Sequence, residues 1–133
     1  LKTTLLDQLK NNYFLTGSKS ILGRYFGGHD SDWDFVSHIS ELPEGVYINA
    51  CQDLRNYIGV MPMGNAYLWK GDHIDILIYE NYDDITCIEQ TTNYLKDLVK
   101  HPIMYNFLSK KENRIYLFEK TLEYYYNLRR ILT

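Results

Sequence analysis

The chain predicts an α+β domain, a small mixed β-sheet covered by helices and ending in helices alone, and three observations predict it. Helix-like and strand-like segments alternate over residues 1–80, an alternating apolar pattern runs through residues 66–79, and two long helical stripes follow. In chain order, Leu5, Leu6 and Leu9 recur at helical spacing and give a first helix that ends near Asn11-Asn12. Residues 13–16 are apolar and read as a strand, residues 19–25 as a helix. Gly27-Gly28-His29-Asp30 breaks that helix and leads into a strand beginning near Asp32. A turn at Pro43, a brief strand over 46–49 and a helical turn or two over 52–58 come next. Residues 66–70 and 73–79 form the best hairpin candidate, joined at Gly71-Asp72, a pair that suits a two-residue turn. Asp83-Asp84 reads as a helix cap, after which Ile85, Ile88, Leu95, Leu98 and Val99 trace an apolar stripe toward His101-Pro102. Ile115, Phe118, Leu122, Tyr125 and Leu132 mark a second helix. The expected organisation is one domain over 1–133, with a core in 1–80 and a helical extension in 81–133.

At 133 residues the chain is long enough for one buried core and too short for a multidomain polymerase. An apolar fraction of 45% and a charged fraction of 23% exclude disordered and fibrous classes. Thirteen tyrosines are the outlying feature, crowded toward the C-terminal end. No apolar run is long enough to span a membrane and no basic-then-apolar leader opens the chain, so the cytoplasm is the expected compartment. Cys51 and Cys87 lack ligand or redox spacing and read as reduced thiols in helical segments. The net charge of −3 is unevenly spread: residues 1–92 carry six basic and thirteen acidic side chains, a net of −7, and the remainder eight basic and four acidic, a net of +4. An acidic half suits a cation site, and a basic end suits an anionic acceptor, although a solvated helix face of mixed charge is the favoured explanation of the charge pattern.

The chemistry concentrates in a few positions. Asp32 and Asp34 flank Trp33, so strand alternation puts both carboxylates on one face, and Asp75 lies mid-strand among Ile74, Ile76, Leu77 and Ile78. A carboxylate in such company needs a cation or a donor, and hard cations such as magnesium prefer carboxylate and phosphate oxygens. Gly17-Ser18, at a strand end opening a helix, offers backbone N–H groups and a hydroxyl to phosphate. Lys19 and Arg24 follow as candidate phosphate-neutralising cations, and Lys70 is brought near Asp75 by the hairpin. The structural alternatives are an edge strand with solvated acids, an ordinary Gly-Ser turn and surface lysines. Asp30 and Asp72 read as solvated loop acids. His29, His38, His73 and His101 have no ligand spacing, and no nucleophile–histidine arrangement stands out. Tyr116 and residues 124–126 could stack on bases, but their helical spacing favours packing.

Gly17, Ser18, Asp32, Asp34 and Asp75, in that order, resemble the DNA polymerase β superfamily of nucleotidyltransferases, and Ser31-Asp32-Trp33-Asp34-Phe35 with Leu68-Trp69-Lys70-Gly71 is most similar to its small single-domain phage and bacterial members. The likeness covers residues 13–80. It implies that Asp32 and Asp34 hold a nucleotide-bound Mg2+ or Mn2+, and that Asp75 joins them around a second ion. The expected function is transfer of a nucleoside monophosphate from an NTP, ATP foremost, to a hydroxyl on an RNA end, a protein or a small molecule, with release of pyrophosphate. If phage-encoded, such an enzyme works in the host cytoplasm. The alternative is a non-catalytic regulatory module that binds a nucleotide or partner; phosphohydrolysis ranks last. The apolar and tyrosine-rich faces of the last helices suggest a homodimer or a partner protein.

Overall fold

The computed structural model of the protein describes residues 4–23 and 31–132. Helix α1, Leu5–Asn12, starts where the Thr4 side chain accepts the Asp7 N–H at 3.1 Å, and its apolar spacing buries Leu9 completely. Strand β1, Phe14–Thr16, runs directly into α2, Gly17–Ile21. Strand β2, Trp33–His38, is followed by two 3-10 turns, Ile39–Glu41 and Ile48–Ala50. The two-residue strand β3, Gln52–Asp53, leads into a third such turn, Leu54–Asn56, and then come β4, Ala66–Lys70, and β5, Ile74–Tyr79. Three helices close the chain: α3, Tyr82–Leu98; α4, Pro102–Leu108; and α5, Lys111–Leu132.

Among the described residues the strands form one mixed sheet in the order β1-β2-β5-β4-β3, in which β2 and β5 are parallel and the other pairs antiparallel. The predicted mixed α+β class is therefore the observed one. The sheet is buried on both faces. Val36, Leu77, Tyr79, Ala66 and Leu68 pack on one side against α2, α3 and α5, where Ile21, Ile88, Leu95, Phe118, Leu122 and Tyr126 complete the main core. On the other side Phe35, Ile76 and Ile78 meet Leu9 of α1 and Val46 of the connecting loop. Both edge strands are very short, which limits the unpaired backbone they present. No described helix is long and apolar enough to cross a membrane.

Several expected elements differ in detail. Residues 46–49 do not form a strand, because Val46 serves as a loop plug against the Phe35 face while Ile48 begins a 3-10 turn. The hairpin is present, but its turn lies one residue later than expected. The Gly71 N–H donates to the Ile74 carbonyl at 2.7 Å, leaving Asp72 and His73 as the central pair, with His73 in the left-handed region at φ 57°. Gly71 is required for a different reason: a Cβ there would meet the Trp69 ring at 2.6 Å. At the start of α3, Asn81 rather than Asp83-Asp84 is the cap, accepting the Asp83 N–H at 2.9 Å. Asp84 is instead fully buried, accepting from the Met63 N–H at 3.0 Å and the Tyr126 hydroxyl at 2.8 Å. Pro102 opens the separate helix α4, and on α5 Tyr126 rather than Tyr125 is buried, while Leu132 is exposed. Cys87 is a buried thiol in α3; Cys51 is also free but lies outside any helix.

Candidate functional site

The site is built where the two parallel central strands begin. Pairing of β2 with β5 sets Asp34 beside Asp75, and pairing of β1 with β2 sets Thr16 opposite Asp34. Strand parity turns Asp34 and Asp75 to the same face as Val36 and Leu77, at the uncovered end of the main core. Gly17 follows Thr16 with φ 72°, and its α-carbon lies so close to Asp34 that a Cβ would overlap the carboxylate. The Gly-Ser turn is thereby locked against the acid. Helix α2 begins here without a side-chain cap, leaving its first N–H groups to other partners.

A cleft of about 720 Å³ opens over this point, within the roughly 300–1,000 Å³ common for small-molecule sites. It is lined by Thr16, Gly17, Ser18, Asp32 and Asp34, by Asn56 to Val60, and by Lys111, Arg114, Ile115 and Phe118 of α5. Segment 56–60 is tied to α5 by the Gly59 N–H, which donates to Glu119 Oε1 at 3.1 Å.

The electrostatics are those of neighbouring acids, two of which, Asp34 and Asp75, are largely shielded from water. Burial first, then the neighbouring Asp75 and Asp32 charges, push the Asp34 carboxyl up to about 7, with Lys70 opposing. Asp34 Oδ1 is buried without a hydrogen-bond partner. Asp75, 2% exposed, is also raised by burial, and Lys70 counters this from 3.4 Å. The same burial and the same acids hold the Tyr57 phenol far above its usual range. Asp32 is half-exposed and pairs with His73 Nδ1 at 3.4 Å.

Among the described residues no three acidic, histidine or cysteine side chains make a ready cage for a metal ion. The physical reason is that Asp75 pairs with Lys70, and Asp32 with His73, while Asp34 Oδ1 is the one buried oxygen of these three acids without a hydrogen bond. That orphan oxygen lies on the strand position in register with Asp75, beside a glycine with no room for a Cβ. No family model matches the chain, and neither does any curated protein or solved structure.

Of the residues expected from sequence, Gly17, Ser18, Asp32, Asp34 and Asp75 come together. Lys19 does not join them: its ammonium lies 4.9 Å from the centre of the Trp33 ring, which faces the opposite side of the sheet, and Lys10 sits over the same ring at 4.3 Å. Arg24, like Gly27, Gly28, His29 and Asp30, lies outside the described residues. Tyr57, Lys111 and Arg114 are cleft residues that sequence reasoning missed. Lys111, Arg114, Ile115 and Phe118 follow a helical i, i+3, i+4, i+7 spacing, a signal that groups them on one face without revealing what it meets. Arg114 is half-buried and donates to the Leu108 and Ser109 carbonyls at 3.0 and 3.3 Å, closing the end of α4, and burial lowers its pKa. Tyr116 and Tyr124 are exposed on α5, outside the cleft lining.

Proposed function

We propose that the cleft binds a nucleoside triphosphate together with a divalent cation, and that the chain is a magnesium-dependent nucleotidyltransferase. It would move a nucleoside monophosphate, with ATP the expected donor, to a hydroxyl of a nucleic acid, protein or small molecule and release pyrophosphate. The observation that carries this reading is Asp34, a carboxylate raised to about 7 whose Oδ1 is buried with no donor, two residues from Asp32 and in register with Asp75. Leaving such a group unsatisfied costs about 1–3 kcal/mol, more when it is charged, and a hard cation removes that cost. Asp32, Asp34 and Asp75 would hold Mg2+ or Mn2+, which when bound supplies positive charge to the transferred group and the departing pyrophosphate.

The chain's own residues account for the rest of the site. The bare α-carbon of Gly17 lets the turn pack directly on the Asp34 carboxylate, and Ser18 offers an N–H and a hydroxyl to phosphate oxygens. Lys111 and Arg114, which also line the cleft, add positive charge to it. Ile58, Val60, Ile115 and Phe118 give an apolar surface on which a base can rest. Incubation with α-labelled NTPs, magnesium and cell extract should yield a labelled acceptor and free pyrophosphate, both lost in Asp34→Ala.

A second reading, a non-catalytic module that binds a nucleotide or partner, draws support from the Lys70–Asp75 pair, which gives one of the three acids a protein counter-ion. ATP binding without pyrophosphate release supports the module. Neither binding nor release overturns both readings.

A further inference from the structure

We propose that Glu119, which is not among the residues lining the cleft, is the positioning residue that gives the cleft its nucleotide-binding shape, by holding the backbone of residues 57–60 against α5. This rests on the cleft being the nucleotide site. Tyr57, Ile58 and Val60 line that cleft together with Lys111, Ile115 and Phe118 of α5, so the site is shared by a loop and a helix far apart in the chain. A shared lining keeps its shape only where its two parts are joined. The join is at Gly59, in the left-handed region at φ 93°: its N–H donates to Glu119 Oε1 at 3.1 Å, and a Cβ there would rest 3.5 Å from Ile115 Cγ2. Ile115 and Glu119 are four residues apart, so one turn of α5 carries both contacts.

Among the described residues the Gly59 N–H is the one hydrogen-bond partner of the Glu119 side chain, and no ion pair competes for it. Elsewhere the loop is secured at its ends, where the Tyr57 N–H donates to the Leu54 carbonyl at 2.8 Å and the Met63 N–H to the buried Asp84 Oδ1 at 3.0 Å. Val60 is buried in the main core, but Ile58, beside Gly59 and lining the cleft, is 75% exposed and has little packing of its own to hold it. With the Glu119 bond in place, this part of the lining is ordered before a nucleotide arrives. Without it, binding must order the segment, and affinity falls by that cost. The position of the acceptor oxygen matters here and its charge does not, since an amide oxygen serves a backbone N–H as well. A negative charge close to a cleft that takes phosphate also opposes binding, so an amide should serve at least equally.

The test is calorimetric titration of a non-hydrolysable ATP analogue with magnesium into the full chain and into Glu119→Ala, Glu119→Asp and Glu119→Gln, with amide exchange at Gly59 followed by NMR. Glu119→Ala, and Glu119→Asp with its carboxylate one methylene short, should bind at least about fivefold more weakly and lose protection at the Gly59 amide. Glu119→Gln should match or exceed the wild-type affinity and keep that protection. Alanine is a strong helix former, so α5 itself is preserved in the variant. Wild-type affinity in Glu119→Ala or Glu119→Asp overturns the proposal and leaves the nucleotide reading standing. So does weakened binding in Glu119→Gln, or a Gly59 amide equally protected in Glu119→Ala. A wild-type chain that binds no nucleotide defeats the proposal and the nucleotide reading together.

Discussion

Asp34 is the residue at which folding and chemistry oppose each other. Its carboxyl rises from 3.8 to about 7 on folding, so between those values the native chain keeps a proton that the unfolded chain has released. Stability therefore falls as pH rises from about 4 to about 7 and levels off above, by up to about 4 kcal/mol for this group. Asp34→Asn removes that titration. The variant should melt higher than the wild type at pH 8 without divalent ions, with the gap closing toward pH 4; thermal melts across that range check it, and a variant less stable at pH 8 contradicts the account. Gly17 is the complementary case, since alanine would combine the strain of φ 72° with overlap on the Asp34 carboxylate. Gly17→Ala should cost about 1–3 kcal/mol in urea denaturation and weaken nucleotide binding along with it. Both residues were legible in the sequence as a Gly-Ser turn and an Asp-x-Asp strand. Tyr57, Lys111 and Arg114 were not, because a loop leaves no periodic sign and the helical spacing of Lys111 and Arg114 does not show what their face meets.

At the scale of elements, the helices after residue 80 do more than cover the sheet. Asp84 at the start of α3, the Met63 backbone and Tyr126 of α5 form one buried polar junction beneath the loop that carries the cleft wall. Tyr126→Phe removes one of two donors to a fully buried carboxylate and should destabilise by about 1–3 kcal/mol in equilibrium urea unfolding. A change below about 0.5 kcal/mol, the usual size for surface substitutions, would mean the junction contributes little. The elements themselves were readable wherever periodicity was long or turn chemistry was sharp: α1 from Leu5, Leu6 and Leu9, and the β4–β5 hairpin from its alternation. Misreadings fell on short segments. Val46 looks like strand but plugs a loop, α4 has seven residues, and the hairpin turn shifted because the Trp69 ring needs the space over Gly71.

At the scale of the molecule, an acidic segment and a basic one meet at one cleft, the first supplying Asp32 and Asp34, with Asp75 in register behind Asp34, and the second Lys111 and Arg114. Such opposition favours a ligand that brings phosphate and cation together over either alone. Magnesium with ATP should therefore raise the melting temperature more than the sum of the separate additions, by mass action on the native state. Thermal shifts for each ligand and the pair test this, and simple additivity would contradict it. The central claim is that three carboxylates and the Gly17-Ser18 turn form one cation-dependent nucleotide site. Calorimetric titration of a non-hydrolysable ATP analogue into wild-type protein and Asp34→Asn, with and without magnesium, tests it most directly. The account predicts saturable binding that needs magnesium and weakens at least about tenfold, about 1.4 kcal/mol, in the variant. Equal affinity in the variant, binding indifferent to the cation, or no binding at all contradicts it.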